Sequence, residues 1–493
     1  MQERSSENLI LAGVVGLGVV LRVRQFLFAK SLWLDEATFA NGILDSPLLD
    51  LLTVTQRFVD PAGYVVLTKL SVAVFGQTDY AFRWIALAAG IGSVVVSALL
   101  AKRVFDRAAA RVAFTGLVAL APVLIYYSNE AQQYSLDVLA ALAVVWVFVS
   151  YEEWRRGFPL LVLTGVLFPW LSYASIIILF GVGLSLAVRW LRKRSYKRIA
   201  IIGSAWGLSA LIVLIHARIV TRTEFLEDYW TAGFAPFPFN SFSDLRWYPE
   251  AAGGIVEMAW FAEGFVPKTP ATPSLAAWVI FALVVVGAVL LVRRRPWIGL
   301  ALGVVVAANF AVSVLGLYPF GSRPGLYMVP LCFLVAVEPL DWAMRRRSWA
   351  WRVPAALVAV GLVAVLAVPS LRLFINPENG SDMKGALSLV VGNWEPADAL
   401  IVQGWSTQAF DFYEPRFELQ QHLVREVSRE FDVQLFLDEL GPDPGLGRTW
   451  LLFTHRLHEA EQLVDELAEV APLLQRSGGE SYLVALFDLS ALD

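Results

Sequence analysis

The chain has 493 residues, 57% of them hydrophobic and 17% charged, with a mean hydropathy of +0.60. An ordinary soluble domain carries about 25% charged residues, so a soluble cytosolic enzyme is excluded. The 39 Lys and Arg against 43 Asp and Glu give a net charge of -4, and no basic tract interleaved with aromatics appears, so no nucleic-acid partner is expected. The single cysteine, Cys332, allows no intrachain disulfide.

In chain order, the apolar run over 8–29 carries Arg22 and Arg24 near its end and has no small-residue cleavage site, so it reads as an uncleaved first span. The run over 63–76 is too short to cross about 30 Å of hydrocarbon and is expected to be a juxtamembrane helix. Basic clusters follow at Lys102 to Arg111, Arg155 and Arg156, Arg192 to Arg198, Arg293 to Arg295 and Arg345 to Arg347. The positive-inside rule places all of them on the cytoplasmic side. That works if two crossings separate consecutive clusters: 112–127 with 131–150, 158–172 with 174–190, 199–217 with 274–292, and 297–316 with 325–343. With the first span, 84–101 and a last span over 354–373, about eleven crossings are predicted. The opposite face then receives 30–83, 128–135, 218–273, 317–325 and everything after 373. Beyond 376 the composition turns soluble. Strand-like segments lie at 399–404, 449–455 and 482–489, with a helical pattern over 457–474. The predicted fold is a polytopic α-helical membrane protein with a small C-terminal α/β domain, divided as 1–374 and 375–493.

Unusual polar residues gather on the outer segments. Asp35 and Glu36 stand just past the first span; they suit a general base, or a metal ligand, at the membrane surface. The alternative is a helix start with Asp35 as N-cap and Glu36 favoured by the helix dipole. Glu130, Tyr134 and Asp137 are spaced i, i+4 and i+7, so on a helix they share one face, turned toward a polar cavity. The alternative has Ser128 capping that helix and Asp137 paired with an arginine. Outward cations (Arg22, Arg24, Lys69, Arg83, His216, Arg218, Arg222, Arg323) run against the topological bias, so some should hold specific anions, and the guanidinium fork suits phosphate. Snorkelling to lipid headgroups is the competing account. His455 and His458 make at most half a metal site. The aromatic stretch from Tyr229 to Trp260 reads as an interfacial loop.

The segments Leu32 to Ala37 (LWLDEA), Asp60-Pro61-Ala62-Gly63-Tyr64 before the short helix, Ala81-Phe82-Arg83, Ser128 to Tyr134 (SNEAQQY) and Arg323 to Pro330 occur in this order. In this order they resemble the motifs of GT-C fold membrane glycosyltransferases, in the branch of protein O-mannosyltransferases and lipid A aminoarabinose transferases. The resemblance covers about 7–340. Asp60 stands where that family often has His, and Gln132 and Gln133 where it has Arg and Met. The resemblance implies transfer of a hexose or pentose from a polyprenyl-phosphate carrier to an acceptor hydroxyl, with inversion, on the extracytoplasmic face of the plasma membrane. The acceptor would be a lipid, glycan or protein. Asp35, with Glu36 beside it, would be the base, and Glu130 would position the acceptor or share a divalent cation with Asp35. Arg323, Arg222, Lys69 and Arg83 would hold the donor phosphate, while Asp60, Tyr64, Tyr134, Asp137 and His216 would line the cavity. The competing class is a transporter or flippase using Glu130 and Asp137 as an ion path. Many transporters carry repeated halves, and neither acidic motif has a second copy here.

Overall fold

The computed structural model describes residues 2–54, 58–220, 230–262, 272–377, 380–417, 419, 423–440 and 447–490. Two compact units emerge. The larger comprises Met1–Phe28 with Leu48–Pro377, and the smaller joins Ala29–Pro47 to Glu378–Asp493. The tail thus recruits a piece of the first loop, a nonlocal pairing that a division at 374/375 does not contain.

The larger unit is helical: α1 (Gln2–Leu27), α3 (Leu48–Thr53), α4 (Ala62–Phe75), α5 (Asp79–Val104), α6 (Ala108–Leu120), α7 (Pro122–Tyr127), α8 (Tyr134–Ser150), α9 (Gly157–Leu171), α10 (Ala174–Arg192), α11 (Tyr196–Val220), α12 (Phe242–Phe261), α13 (Leu275–Arg294), α14 (Pro296–Val314), α15 (Met328–Arg345) and α16 (Trp349–Ile375). The helix α2 (Leu34–Asp45) belongs to the smaller unit. Among the described residues eight helices are long and apolar enough to span a membrane, including α1 from Ser6, α5, α10, α11, α13, α14, α16, and α15 with the 3-10 turn Arg323–Tyr327 that leads into it. The other three expected crossings fall on the shorter apolar helices α6, α8 and α9. The chain is a polytopic membrane protein.

The run expected as one span over 112–127 is broken into α6 and α7, because Pro122 has no N–H to give the Val118 carbonyl one turn back. Polar side chains repair the break. Arg22 donates from Nη2 to Val118 O and from Nη1 to Ala119 O, each at 3.0 Å, and Ser370 Oγ donates to Leu120 O. Arg22, expected among the outward cations, gives these bonds to backbone carbonyls. α4 has 14 residues, about 21 Å at 1.5 Å per residue, and ends where Gly76 adopts φ +76°. Close helix contacts use glycine: a Cβ on Gly287 of α13 would lie 2.0 Å from the Val335 carbonyl oxygen of α15. The stretch expected as an aromatic loop is in large part the helix α12, which buries Trp260 edge-on against Phe333, with ring centroids 4.6 Å apart. Phe237, Phe239 and Phe242 stay exposed.

The smaller unit is a five-stranded sheet flanked by α17 (Met383–Gly392), α18 (Thr407–Tyr413), α19 (Val433–Leu440) and α20 (Leu457–Leu467). Its strands β1 (Ala399–Gln403), β2 (Leu423–Val427), β3 (Arg448–Phe453), β4 (Leu473–Gly478) and β5 (Leu483–Asp488) run in the order β2-β1-β3-β5-β4. β1 pairs parallel with both neighbours (Leu400 opposite Val424 and Trp450), whereas β5 is antiparallel to β3 and β4. The central strands are buried along almost their whole length, as a sheet covered on both faces requires. The edge strands β2 and β4 were not among the expected ones, and β4 begins on the last two residues of the helical pattern expected over 457–474. Its alternating exposed side chains carry too little apolar periodicity to announce a strand.

Candidate functional site

At one end of the larger unit, helix termini bring buried polar groups together. The C-terminal part of α1 supplies Gln25, the start of α5 supplies Asp79 and Arg83, and the turn between α7 and α8 supplies Ser128, Asn129 and Glu130. The first turn of α8 gives Asp137, and the 3-10 turn before α15 gives Arg323. All of these are at most 7% exposed. Close approach of α5 depends on Gly90, where a Cβ would lie 2.1 Å from Ser128 Oγ and 3.3 Å from Arg22 Nε. Ser128 Oγ donates to Leu124 O, and Asn129 Nδ2 donates to Ile125 O at 3.2 Å. Neither caps α8, which begins at Tyr134 after Gln133. Glu130 consequently lies in a turn and not on the helix with Tyr134 and Asp137, so the expected three-residue face reduces to Tyr134 and Asp137, both buried.

Two of these groups keep unsatisfied hydrogen-bonding atoms, Asn129 Oδ1 and Asp137 Oδ1, as do Gln133 Oε1, the Tyr327 hydroxyl and Thr68 Oγ1 on α4. An orphaned buried polar atom costs about 1–3 kcal/mol, so several together mark a place built to receive a polar ligand or water. The Asp137 carboxylate is close enough to act on the phenols of Tyr318 and Tyr327. Burial, with that charge, holds the Tyr318 phenol well above its ordinary value.

The opposite end of the same unit carries a cluster of ion pairs. Arg294 of α13 reaches Asp106 at 3.1 Å and Asp341 at 3.2 Å and also pairs with the fully buried Glu338, while Arg111 pairs with Glu7 at 2.7 Å. Asp341 Oδ1 accepts the backbone N–H groups of Asp106 and Arg107 and so caps the start of α6. The acids and arginines there hold one another, whereas the polar atoms around Asn129, Gln133, Asp137 and Tyr327 form the candidate site.

The remaining expected residues divide as follows. Asp60 and Tyr64 are buried at the start of α4, where the Tyr173 hydroxyl donates to Asp60 O at 3.3 Å. Lys69 is half-buried on α4, and Arg323 lies with its guanidinium 5.4 Å from the Trp230 ring centre. His216 Nε2 bonds Leu52 O at 2.8 Å and lines an apolar cleft of about 430 Å³ with Ala62, Gly63, Val66, Trp170 and Leu171. The other residues that line that cleft are apolar. Arg222 lies outside the described residues.

Asp35 and Glu36 belong to the smaller unit. Trp33, not Asp35, is the N-cap of α2; Asp35 sits in the first turn, half-buried, and the buried Glu36 turns back to accept the Trp33 N–H at 3.4 Å. Glu36 thus has the capping task, which separates the two acids. The segment is stitched to the tail: Ser31 Oγ donates to Asp382 at 2.9 Å, the Tyr413 hydroxyl accepts Leu32 N–H at 2.8 Å, and Asn41 donates to Gln408 O at 2.9 Å. Among the described residues no three His, Cys, Asp or Glu side chains gather in one place.

Tyr318, Tyr327, Asn129 and Gln133 were missed as site residues. Their signal was present but weak, since each is a polar residue at the mouth of an apolar helix. The task of Arg22 could have been inferred only by knowing that α1 packs on the broken α6.

By its likeness to solved structures the chain is a polytopic membrane protein of the GT-C fold. Among solved structures it is similar over its whole length to the aminoarabinose transferase ArnT from Cupriavidus metallidurans. In the apo state the TM-score is 0.53 at 14% identity, covering 100% of this chain and 99% of that one. Bound to undecaprenyl phosphate it is 0.50 at 15%, covering 96% and 98%. An Archaeoglobus fulgidus oligosaccharyltransferase tethered to an acceptor peptide matches with a TM-score of 0.48 at 15% identity, covering 93% and 68%. No protein-family model matches the chain, and no curated protein does.

Proposed function

We propose that this protein transfers a sugar from a polyprenyl-phosphate carrier to an acceptor hydroxyl, with inversion, on the extracytoplasmic face of the membrane. The observation that carries the proposal is the group of buried polar side chains with unsatisfied atoms around Asn129, Gln133, Asp137 and Tyr327. The shared fold with ArnT, one structure of which holds undecaprenyl phosphate, supports a lipid-phosphate carrier. Arg83, Arg323 and Lys69, with Arg222, are the cations assigned to the carrier phosphate. That leaving group is already stabilised as an anion, so it needs positive charge more than a general acid. The apolar cleft beside His216 suits an isoprenoid chain.

Asp35 is assigned as the base that takes the acceptor proton as the hydroxyl oxygen attacks the anomeric carbon, and Glu130 is assigned to holding a substrate hydroxyl. Asp60, Tyr64, Tyr134 and Asp137 are assigned to the polar lining. Comparison of envelope lipids and glycans by mass spectrometry, with and without the protein, tests the proposal. The expected result is an accumulated polyprenyl-phosphate sugar together with a glycan or lipid that has lost that sugar. Unchanged carrier-linked sugars would overturn it.

A further inference from the structure

In the smaller unit the parallel strands β2, β1 and β3 end at Val427, Gln403 and Phe453, and Arg429, Trp405 and His455 each stand two residues further on. The register pairs Gln403 with Val427 and Val402 with Leu452, so continuing it places Trp405 level with both Arg429 and His455. Equal steps along neighbouring strands keep the three side chains on one face. The contacts agree with that register. The Arg429 guanidinium carbon is 4.6 Å from the Trp405 ring centre, and the Trp405 and His455 rings are 5.7 Å apart, tilted by 38°. Trp405 is held from two sides, donating from Nε1 to Arg429 O and from its backbone N–H to Gln403 Oε1, each at 2.9 Å. Beside the stack Ser406 Oγ accepts the Thr454 N–H at 2.9 Å and ties β1 to β3. Arg456, the residue after His455, adopts φ +50°, a strained conformation that turns the chain into α20.

β1 connects outward to β2 and the chain then crosses back to β3, so the gap between β1 and β3 is the topological switch point, where open α/β sheets bind their ligands. Trp405 and His455 are half-buried there and Arg429 is exposed. A guanidinium over an indole keeps its N–H fork for other partners, and that fork matches the oxygens of carboxylate and phosphate. Among the described residues no carboxylate pairs with Arg429, whereas Arg456 nearby pairs with Glu459 at 2.7 Å. The ring contact has already restricted the Arg429 side chain, so an anion that binds it has less ordering to offset.

We propose that the carboxyl edge of β2, β1 and β3 is a binding site for an oxyanion, phosphate or carboxylate, received by the fork of Arg429 beside Trp405 and His455. The anion takes the place of water on the edge of the guanidinium, and no covalent bond is made or broken. This binding is independent of the sugar-transfer reading.

The chain has four histidines, so carbon-13 histidine labelling of the full-length protein in phosphatidylcholine nanodiscs gives a spectrum in which the signal lost in His455→Gln is that of His455. Inorganic phosphate and glucuronate, added at constant ionic strength, should each move that signal along a saturating curve and leave His216 in place, while glucose moves neither. Arg429→Gln should weaken phosphate binding at least about tenfold, the cost of losing hydrogen bonds to a charged group, at an unchanged melting temperature. Nanodiscs that also contain phosphatidylglycerol identify the source of the anion. A His455 signal already moved before phosphate is added assigns an anionic lipid headgroup, and one that moves only with added phosphate assigns a soluble oxyanion. A response that does not saturate, that His216 shares equally, or that survives Arg429→Gln overturns the site.

Discussion

Replacing Arg22 with Met separates a structural arginine from a ligand-binding one. In the native chain its guanidinium bonds Val118 O and Ala119 O at 3.0 Å, where Pro122 leaves the helix without a donor. Methionine fills the space but donates nothing. Two buried carbonyls orphaned at about 1–3 kcal/mol each give a loss of about 2–6 kcal/mol, reduced somewhat because a buried cation is no longer desolvated. Unfolding in detergent, followed by circular dichroism against temperature or dodecyl sulfate, should show it. The sharper test is a double-mutant cycle. Pro122→Ala returns an N–H able to reach Val118 O, so Arg22→Met should cost at least about 1 kcal/mol less in that background, a coupling of the size that directly linked residues show. Equal losses in both backgrounds would refute the argument and reopen an anion-binding role for Arg22.

Gly90→Ala should destabilise by about 1–3 kcal/mol, read as a lower melting temperature, because its new Cβ would lie 2.6 Å from Ser128 Cβ as well as close to Arg22. A second prediction concerns pH. Burial, with the charges of Glu426, Glu414 and Asp45, pushes the Asp411 carboxyl up to about 6 from 3.8. The folded state holds that proton more tightly than the unfolded one, so this contribution favours folding at low pH and is lost as pH rises from about 4 through 6. Asp411→Asn should therefore melt higher than wild type at pH 8 and lose the dependence between pH 4 and 7; an unchanged pH slope would contradict the burial argument. A third concerns α4, whose length argues against a crossing. In a Cys332→Ala background, Thr78→Cys should label with impermeant reagent from outside intact cells and Arg107→Cys should not.

The long apolar helices and the three buried strands β1, β3 and β5 were legible because each is a continuous apolar run of its proper length. What was not legible is nonlocal or marginal. Glu130 was expected to continue the face of α8, but the helix begins only at Tyr134, and nothing in SNEAQQY itself forces that start. The capping of α2 fell to Glu36 through a bond back to Trp33, an arrangement that residue preferences place on Asp35 instead. The union of residues 29–47 with the tail depends on contacts more than 350 residues apart, such as Ser31 with Asp382, which no periodicity announces. The edge strand β4 lacks a buried face, so its sequence LLQRSG carries no strand signature. In the site, the acids and arginines stood out as charges beside apolar runs, whereas Asn129, Gln133 and Tyr327 became visible only through the atoms they leave unsatisfied.

The central claim is that Asp35 is the base of a polyprenyl-phosphate-dependent sugar transfer. Asp35→Asn keeps the shape of the side chain and its place in the first turn of α2 but cannot take a proton at neutral pH. Cells carrying this substitution at the native level of protein should be compared with wild type by quantitative mass spectrometry of envelope lipids. The account predicts a fall in the glycosylated product by about 10²–10⁴, the usual cost of losing a general base, with the carrier-linked sugar accumulating. Product at the wild-type level, with no accumulation of the carrier-linked sugar, would contradict it.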